Sequence, residues 1–161
     1  MQKEYTGFSF IELLVVVAVA GILLAIAVVQ LNSSAVATRQ AAQVVSAAVD
    51  QARFEAIRSN NTAGLEIVQG SPTEPGLIRV CTGVDESVAL SCATGTYIRT
   101  IRFSGSELAR AMIASPELTT VFIDRRGIVR NPASYVITIT DRSGNHVRTV
   151  TILPTGRAEV E

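Results

Sequence analysis

The sequence predicts an α+β protein: a long N-terminal α-helix, transmembrane in its first half, packed on a C-terminal antiparallel β-sheet domain. Three observations carry this reading. Residues 13–31 are apolar except for Gly21 and Gln30. Residues 39–60 place apolar side chains at intervals of three and four, and beyond Gly64 the chain changes to short β-branched runs separated by turn residues. Once the apolar block is set aside, roughly 100–120 of the 161 residues remain to build one modest core.

The nineteen residues from Leu13 to Leu31 would span about 28 Å as a helix, close to the roughly 30 Å of a bilayer's hydrocarbon. No charge occurs between Glu12 and Arg39. A cleaved secretory signal would need a positive n-region and a small-x-small site; Ala25-Ile26-Ala27 supplies the latter and would start the mature chain near Asn32. Glu12 opposes that reading, as does Glu4, which offsets Lys3. A plain anchor gives no reason for a carboxylate whose insertion costs about 2.5–3.5 kcal/mol at mid-bilayer and less near the edge. Glu12 is therefore the candidate functional residue of this segment.

Gly7-Phe8-Ser9-Phe10-Ile11-Glu12-Leu13-Leu14 resembles the type IV pilin signature, a short polar leader ending in Gly, then Phe, then Glu at the fifth mature position. The resemblance implies that a prepilin peptidase cuts between Gly7 and Phe8, removes residues 1–7 as leader, and N-methylates Phe8. It further implies a single pass through the bacterial inner membrane at about residues 12–31, with the globular domain on the periplasmic side. Inner-membrane assembly machinery would then move the subunit from the lipid bilayer into a filament of other pilin or pseudopilin subunits. The physical logic is an ion pair. Cleavage leaves an amine on Phe8 about one helical turn from Glu12, and a buried charge without a partner costs several kcal/mol, so Glu12 of one subunit is expected to neutralise the Phe8 amine of its neighbour. Members of the family often carry a Pro near the end of the apolar run; Val29 stands there instead, which favours one continuous helix from Phe8 to about Ser59, in a lollipop-shaped subunit.

The second half of that helix has its apolar stripe at Ala41, Val45, Ala48, Ala52 and Ala56, with Asp50, Arg53 and Arg58 on other faces and Asn60-Asn61 and Gly64 marking the end. A globular β domain is expected over residues 61–161, with strands at 65–68, 77–82, 97–103, 119–123, 128–130, 135–140 and 146–153. Asp124–Gly127 and Asp141–Asn145 read as hairpin loops. Residues 104–117 are ambiguous between a loop and a short helix around Glu107–Ile113. The stretches "ARFEAIRSN" (52–60) and "RTVTILPTGRAEVE" (148–161) are similar to the H-type minor pseudopilins of type II secretion and the related FimT-like minor pilins.

Composition limits the chemistry. Ten residues separate Cys81 from Cys92, too many for a redox Cys-x-x-Cys, and a zinc site lacks further ligands. Behind a membrane-targeting segment a disulfide in an oxidising compartment is favoured over two buried thiols, and it would contribute up to roughly 3 kcal/mol. The single His146 has no nucleophile motif near it, and no phosphate loop or metal spacing is present, so neither enzyme activity nor a cofactor is expected. The formal charge is zero, with 14 basic and 14 acidic residues, which removes a whole-chain attraction for nucleic acid. A local one remains open. Some FimT-like minor pilins take up DNA through a C-terminal Gly-Arg-x-Arg; here Gly156-Arg157-Ala158-Glu159 puts a carboxylate at the second arginine position, which weakens phosphate contact. Residues 97–148 hold eight arginines against four acids, and Arg125, Arg126, Arg130 and Arg157 are the candidate DNA contacts.

Overall fold

The computed structural model describes residues 9–30, 33–71, 73–74, 76–84, 92–104, 108–116, 118–131 and 133–161. The chain divides into two compact units, Met1–Asn32 and Ser33–Glu161. In the first, helix α1 (Phe10–Gln30) begins where the Ser9 carbonyl accepts the Glu12 and Leu13 amides at 3.0 and 3.2 Å. Its described side chains, Phe10 to Ala25, are all exposed. Among the described residues no helix is long and apolar enough to cross a membrane. The expected leader, Phe8, and the continuity of the helix through residues 31 and 32 lie outside the described residues.

In the second unit, helix α2 (Ser33–Ser59) ends as its sequence directs. Asn60 takes φ of 50°, and the Asn61 amide reaches back five residues to the Ala56 carbonyl at 3.2 Å. That left-handed cap satisfies the last turn. The chain then forms β1 (Ala63–Val68), β2 (Leu77–Thr82), a 3-10 turn at Cys92–Thr94, β3 (Thr96–Arg102), β4 (Ala111–Ser115), β5 (Leu118–Ile123), β6 (Tyr135–Asp141), β7 (Val147–Ile152) and β8 (Ala158–Val160). These build two four-stranded sheets, in the orders β3-β2-β1-β5 and β4-β6-β7-β8, with every pairing antiparallel.

Two stretches differ from the sequence reading. The ambiguous 104–117 segment contributes β4, because pairing with β6 places Ala111 and Ile113 in the core and overrides the helix-forming character of Ala-Met-Ile-Ala. The expected strand at 128–130 is reduced to one bridge, Ile123 to Val129, with the Val129 amide turned to the Pro154 carbonyl on its other side. The Asp141–Asn145 loop does join β6 and β7 as a hairpin.

The core lies between α2 and the inner faces of both sheets. Ala41, Ala42, Val45, Ala48, Val49, Ala52 and Ala56 of α2 are fully buried against Leu65, Ile67, Ile78 and Val80 of one sheet and Ile137, Ile139, Val150 and Ile152 of the other. Small residues on the helix let its backbone approach the strands, which supply the bulk. Each buried branched side chain contributes about 1.5–3 kcal/mol. Cys81 and Cys92 form a disulfide with a Cα–Cα distance of 5.8 Å, tying β2 to the 3-10 turn. This bridge sits directly on Gly64: a Cβ there would meet Cys81 Sγ at 2.7 Å and Cys92 Sγ at 3.0 Å.

The β6–β7 hairpin is closed by a buried carboxylate. Asp141 accepts from Ser143 Oγ at 2.5 Å and from the His146 amide at 3.1 Å. Led by the Ser143 hydroxyl, these donors hold the Asp141 carboxyl below its ordinary range, with burial opposing them. Because the folded state favours the ionised form, the contribution is present above about pH 4 and fades as pH falls through the lower folded value. Asp141→Asn is expected to lower stability at pH 7 and to flatten the loss of stability below about pH 4, read from urea unfolding at a series of pH values. Gly64→Ala is expected to cost about 1–3 kcal/mol in the disulfide-bonded protein, and distinctly less in a Cys81→Ala/Cys92→Ala background, as a double-mutant cycle on thermal unfolding will show.

Candidate assembly site and arginine-bearing end

Glu12 lies in the first turn of α1, where an acidic side chain complements the positive end of the helix dipole. Around it Phe10, Ile11, Leu13 and Leu14 are 79, 70, 56 and 51% exposed. Among the described residues Glu12 is exposed and no cation pairs with it. Gly7 and Phe8, its expected neighbours in the processing motif, lie outside the described residues.

The candidate DNA contacts divide by loop. Arg125 and Arg126 occupy the exposed tip of a turn fixed by Asp124, whose Oδ1 accepts the Arg126 and Ile128 amides at 2.8 and 3.0 Å. Arg157 is exposed on the turn before β8, where its carbonyl accepts the Leu153 amide at 2.8 Å. The two turns touch. Gly127 and Gly156 have φ of 79° and 73°, and a Cβ on Gly156 would collide with the Gly127 carbonyl; the Val129 amide also donates to Pro154 at 2.9 Å. Only glycine meets both demands, a left-handed backbone and the absence of a side chain. Arg130 lies on the far side of the bridge and lines a cavity of about 210 Å³ with Thr120, Phe122, Asn131 and Tyr135.

The remaining arginines of 97–148 go elsewhere. Arg99 donates to Gln51 Oε1 at 3.1 Å, Arg110 and Arg142 meet through their main chains at 3.2 Å, and Arg148 shares a cleft with Arg39 and Gln43. One basic residue placed by sequence only on another face of the helix belongs to the arginine-bearing end. Arg53 of α2 lies under the paired turns, where a Cβ on Gly127 would meet its Nε at 2.9 Å, and that Nε is buried without a hydrogen-bond partner among the described residues. Its place directly beside the Ala52–Ala56 stripe was the available signal. Among the described residues no group of three His, Cys, Asp or Glu side chains could hold a metal ion.

Comparison with known proteins agrees with this geometry. Residues 3–28 match the prokaryotic N-terminal methylation motif, and residues 41–156 match the type II transport protein GspH. The pilin-like protein PilA1 of Thermus thermophilus is 31% identical over 160 residues, covering 96% of this chain and 97% of that protein. Two crystal structures of the type IV minor pilin FimU from Pseudomonas aeruginosa share the fold at 16% identity. Their TM-scores are 0.55 and 0.56, over 76% of this chain and 91 and 87% of theirs. With an N-terminal methylation motif followed by an α-helix packed on antiparallel sheets, this chain belongs to the GspH family of pilin-like structural subunits.

Proposed function

We propose that the chain is a minor subunit of a type II secretion pseudopilus or of the related type IV pilus. It is made with residues 1–7 as leader, cut between Gly7 and Phe8, and methylated on Phe8. Residues 8–60 form the long N-terminal helix, whose apolar part at about 12–31 crosses the bacterial inner membrane once, and residues 61–161 form the periplasmic β domain. The observation that carries this reading is a carboxylate in the first turn of an apolar helix whose described side chains are all exposed. Such a surface is stable in lipid or among other apolar helices, and only the second setting supplies Glu12 with a partner, the methylated Phe8 amine of a neighbour. The match to GspH supports a pseudopilus and the fold of FimU is compatible with a pilus. An initiating or tip complex with other minor subunits is the place such a protein would fill.

Replacing Glu12 by Ala removes the anion but not the apolar helix. Membrane insertion is expected to persist while incorporation into sheared filaments falls more than about tenfold, the effect of losing 1.4 kcal/mol or more. Mass spectrometry of the mature chain is expected to find N-methyl-Phe8 as the first residue; retention of Met1, or a start near Asn32, would refute the processing scheme.

A second reading is favoured by the contact between Gly127 and Gly156, which sets Arg125, Arg126 and Arg157 on abutting turns. In this reading the exposed end contacts the DNA backbone during uptake, with Arg130 on the far side of the bridge as a more distant contact, and Glu159 limits the affinity. Fluorescence anisotropy with duplex DNA at several salt concentrations tests it. Arg126→Ala should reduce the salt slope by about one, and no salt-dependent binding below about 100 μM would end the reading.

A further inference from the structure

The unit that begins at Ser33 carries arginines toward both ends of α2. At the far end stand Arg53 and the paired turns. At the near end Arg39, the first charge after Glu12, shares a cleft of about 570 Å³ with Gln43, Arg148, Val160 and Glu161. Arg148 reaches it because side chains alternate along β7, and Arg148 falls on the same side as the buried Val150 and Ile152. The β6–β7 ladder ends one pair beyond Arg148, at Thr140 and Val147. In the turn that closes it, the Arg142 amide donates to the Arg110 carbonyl at 3.2 Å. Four arginines thus gather at this end, and all are exposed.

Three valines stand open among them. Val36 lies one turn before Arg39, Val147 at the hairpin end and Val160 in the cleft, and they are 46, 52 and 43% exposed. The acids at this end are fewer or already engaged. Glu161 brings at most two carboxylates to the cleft, and among the described residues no ion pair joins it to Arg39 or Arg148. Asp141 is buried and holds the Ser143 hydroxyl and the His146 amide. Glu74 and Arg102 line a separate cavity at the β1–β2 turn, where they offset one another. Glu107 lies outside the described residues.

We propose that this end of the β domain rests on the bilayer surface before assembly, its four arginines on the phosphates of anionic phospholipids and its valines at the acyl boundary. The proposal depends on the single-pass reading of residues 12–31. Leu31 and Ser33 are two residues apart, at most about 7 Å, and Arg39 is six residues further, about 9 Å of helix. That is close to the Debye length of about 8–10 Å, so phosphates at the end of the span act on Arg39 at whatever angle the chain enters the domain. Arg53 lies fourteen residues beyond Arg39, about 21 Å of helix, and the arginines of the paired turns are screened from the same surface. A guanidinium meets a phosphate through two parallel hydrogen bonds. Each arginine near an anionic surface strengthens the contact about fivefold, offset in part by Glu161. Such a contact orients the unassembled subunit and is given up when the apolar helix leaves lipid.

Fluorescence of the full chain in vesicles tests the contact. The native cysteines are joined to each other, so Asn145→Cys or Thr155→Cys adds one labelling site, at the near or the far end. Vesicles of phosphatidylcholine, alone or mixed with phosphatidylglycerol, carry a lipid with a spin-labelled headgroup as quencher. The Asn145 label is expected to be quenched several-fold more in the anionic vesicles than in the neutral ones, and the Thr155 label equally in both. The difference should vanish at about 1 M salt, where the Debye length is about 3 Å. It should vanish in Arg142→Gln/Arg148→Gln and persist in Arg142→Lys/Arg148→Lys, which keeps the charge. Equal quenching of the Asn145 label in both vesicles, an increase shared by the Thr155 label, or a difference retained in Arg142→Gln/Arg148→Gln would each overturn the contact. Flotation with both vesicle types after alkaline carbonate reports the span separately. A chain left behind would refute the span and the contact together, whereas a floating chain with equal quenching refutes the contact alone.

Discussion

Close approach of one small-residue helix face to two sheets is the interaction on which the domain depends. Among the described residues the two sheets exchange no strand pairing. Both meet α2, through β1 and β2 on one side and β6, β7 and β8 on the other. At its buried positions the helix carries only alanine, valine and Thr38, while the isoleucines and leucine come from the strands. A protein interior is packed to crystal-like density, so this division of volume fixes the distance at which each sheet lies from the helix. A longer side chain at Ala48 or Ala52 would have to push one sheet away from the other. The two halves of the β domain are thus registered through the helix, which is also the element continuing toward the stalk in sequence.

Two kinds of surface stand open among the described residues. The first is apolar and belongs to α1, where large side chains stand in the open around a lone acid. Hydrophobic burial supplies most of the energy for covering it and is indifferent to register, because one apolar face slides on another at little cost. A charge changes that, since it tolerates few positions. The second surface is basic and lies on the β domain at the end nearest Ser33, where exposed arginines surround open valines. Its attraction acts over several ångströms and fixes no geometry. Apolar area to gather subunits, one acid to orient them and a diffuse charge that yields is a division of labour well suited to a polymer of related parts.

Much of the fold was legible because its signals are local. The apolar run, the alanine stripe and the Asn60-Asn61 stop each follow from spacing or from a residue's own conformational preference, and β2 occupies the predicted 77–82. Strand β4 was not legible: Ala111–Ser115 has weak β-preference, and only its pairing with β6 makes it a strand. The division into two sheets was hidden for the same reason, since alternation reveals that a strand has an inner face and says nothing about which sheet receives it. At the arginine-bearing end, sequence identified the turns but not their contact, which depends on two glycines twenty-nine residues apart along the chain. Arg53 was read only as a polar interruption on another face, because what covers that face comes from turns far along the chain.

The seating of α2 also has a mechanical consequence. Any load delivered along the axis of this helix runs parallel to its contact face, so the load is resisted as shear, shared at once by every row of alanine and isoleucine contacts on both sheets. A force that peeled one sheet away would break those rows one after another and would need far less strength. A pull along α2 therefore stresses the domain in the direction in which it yields last.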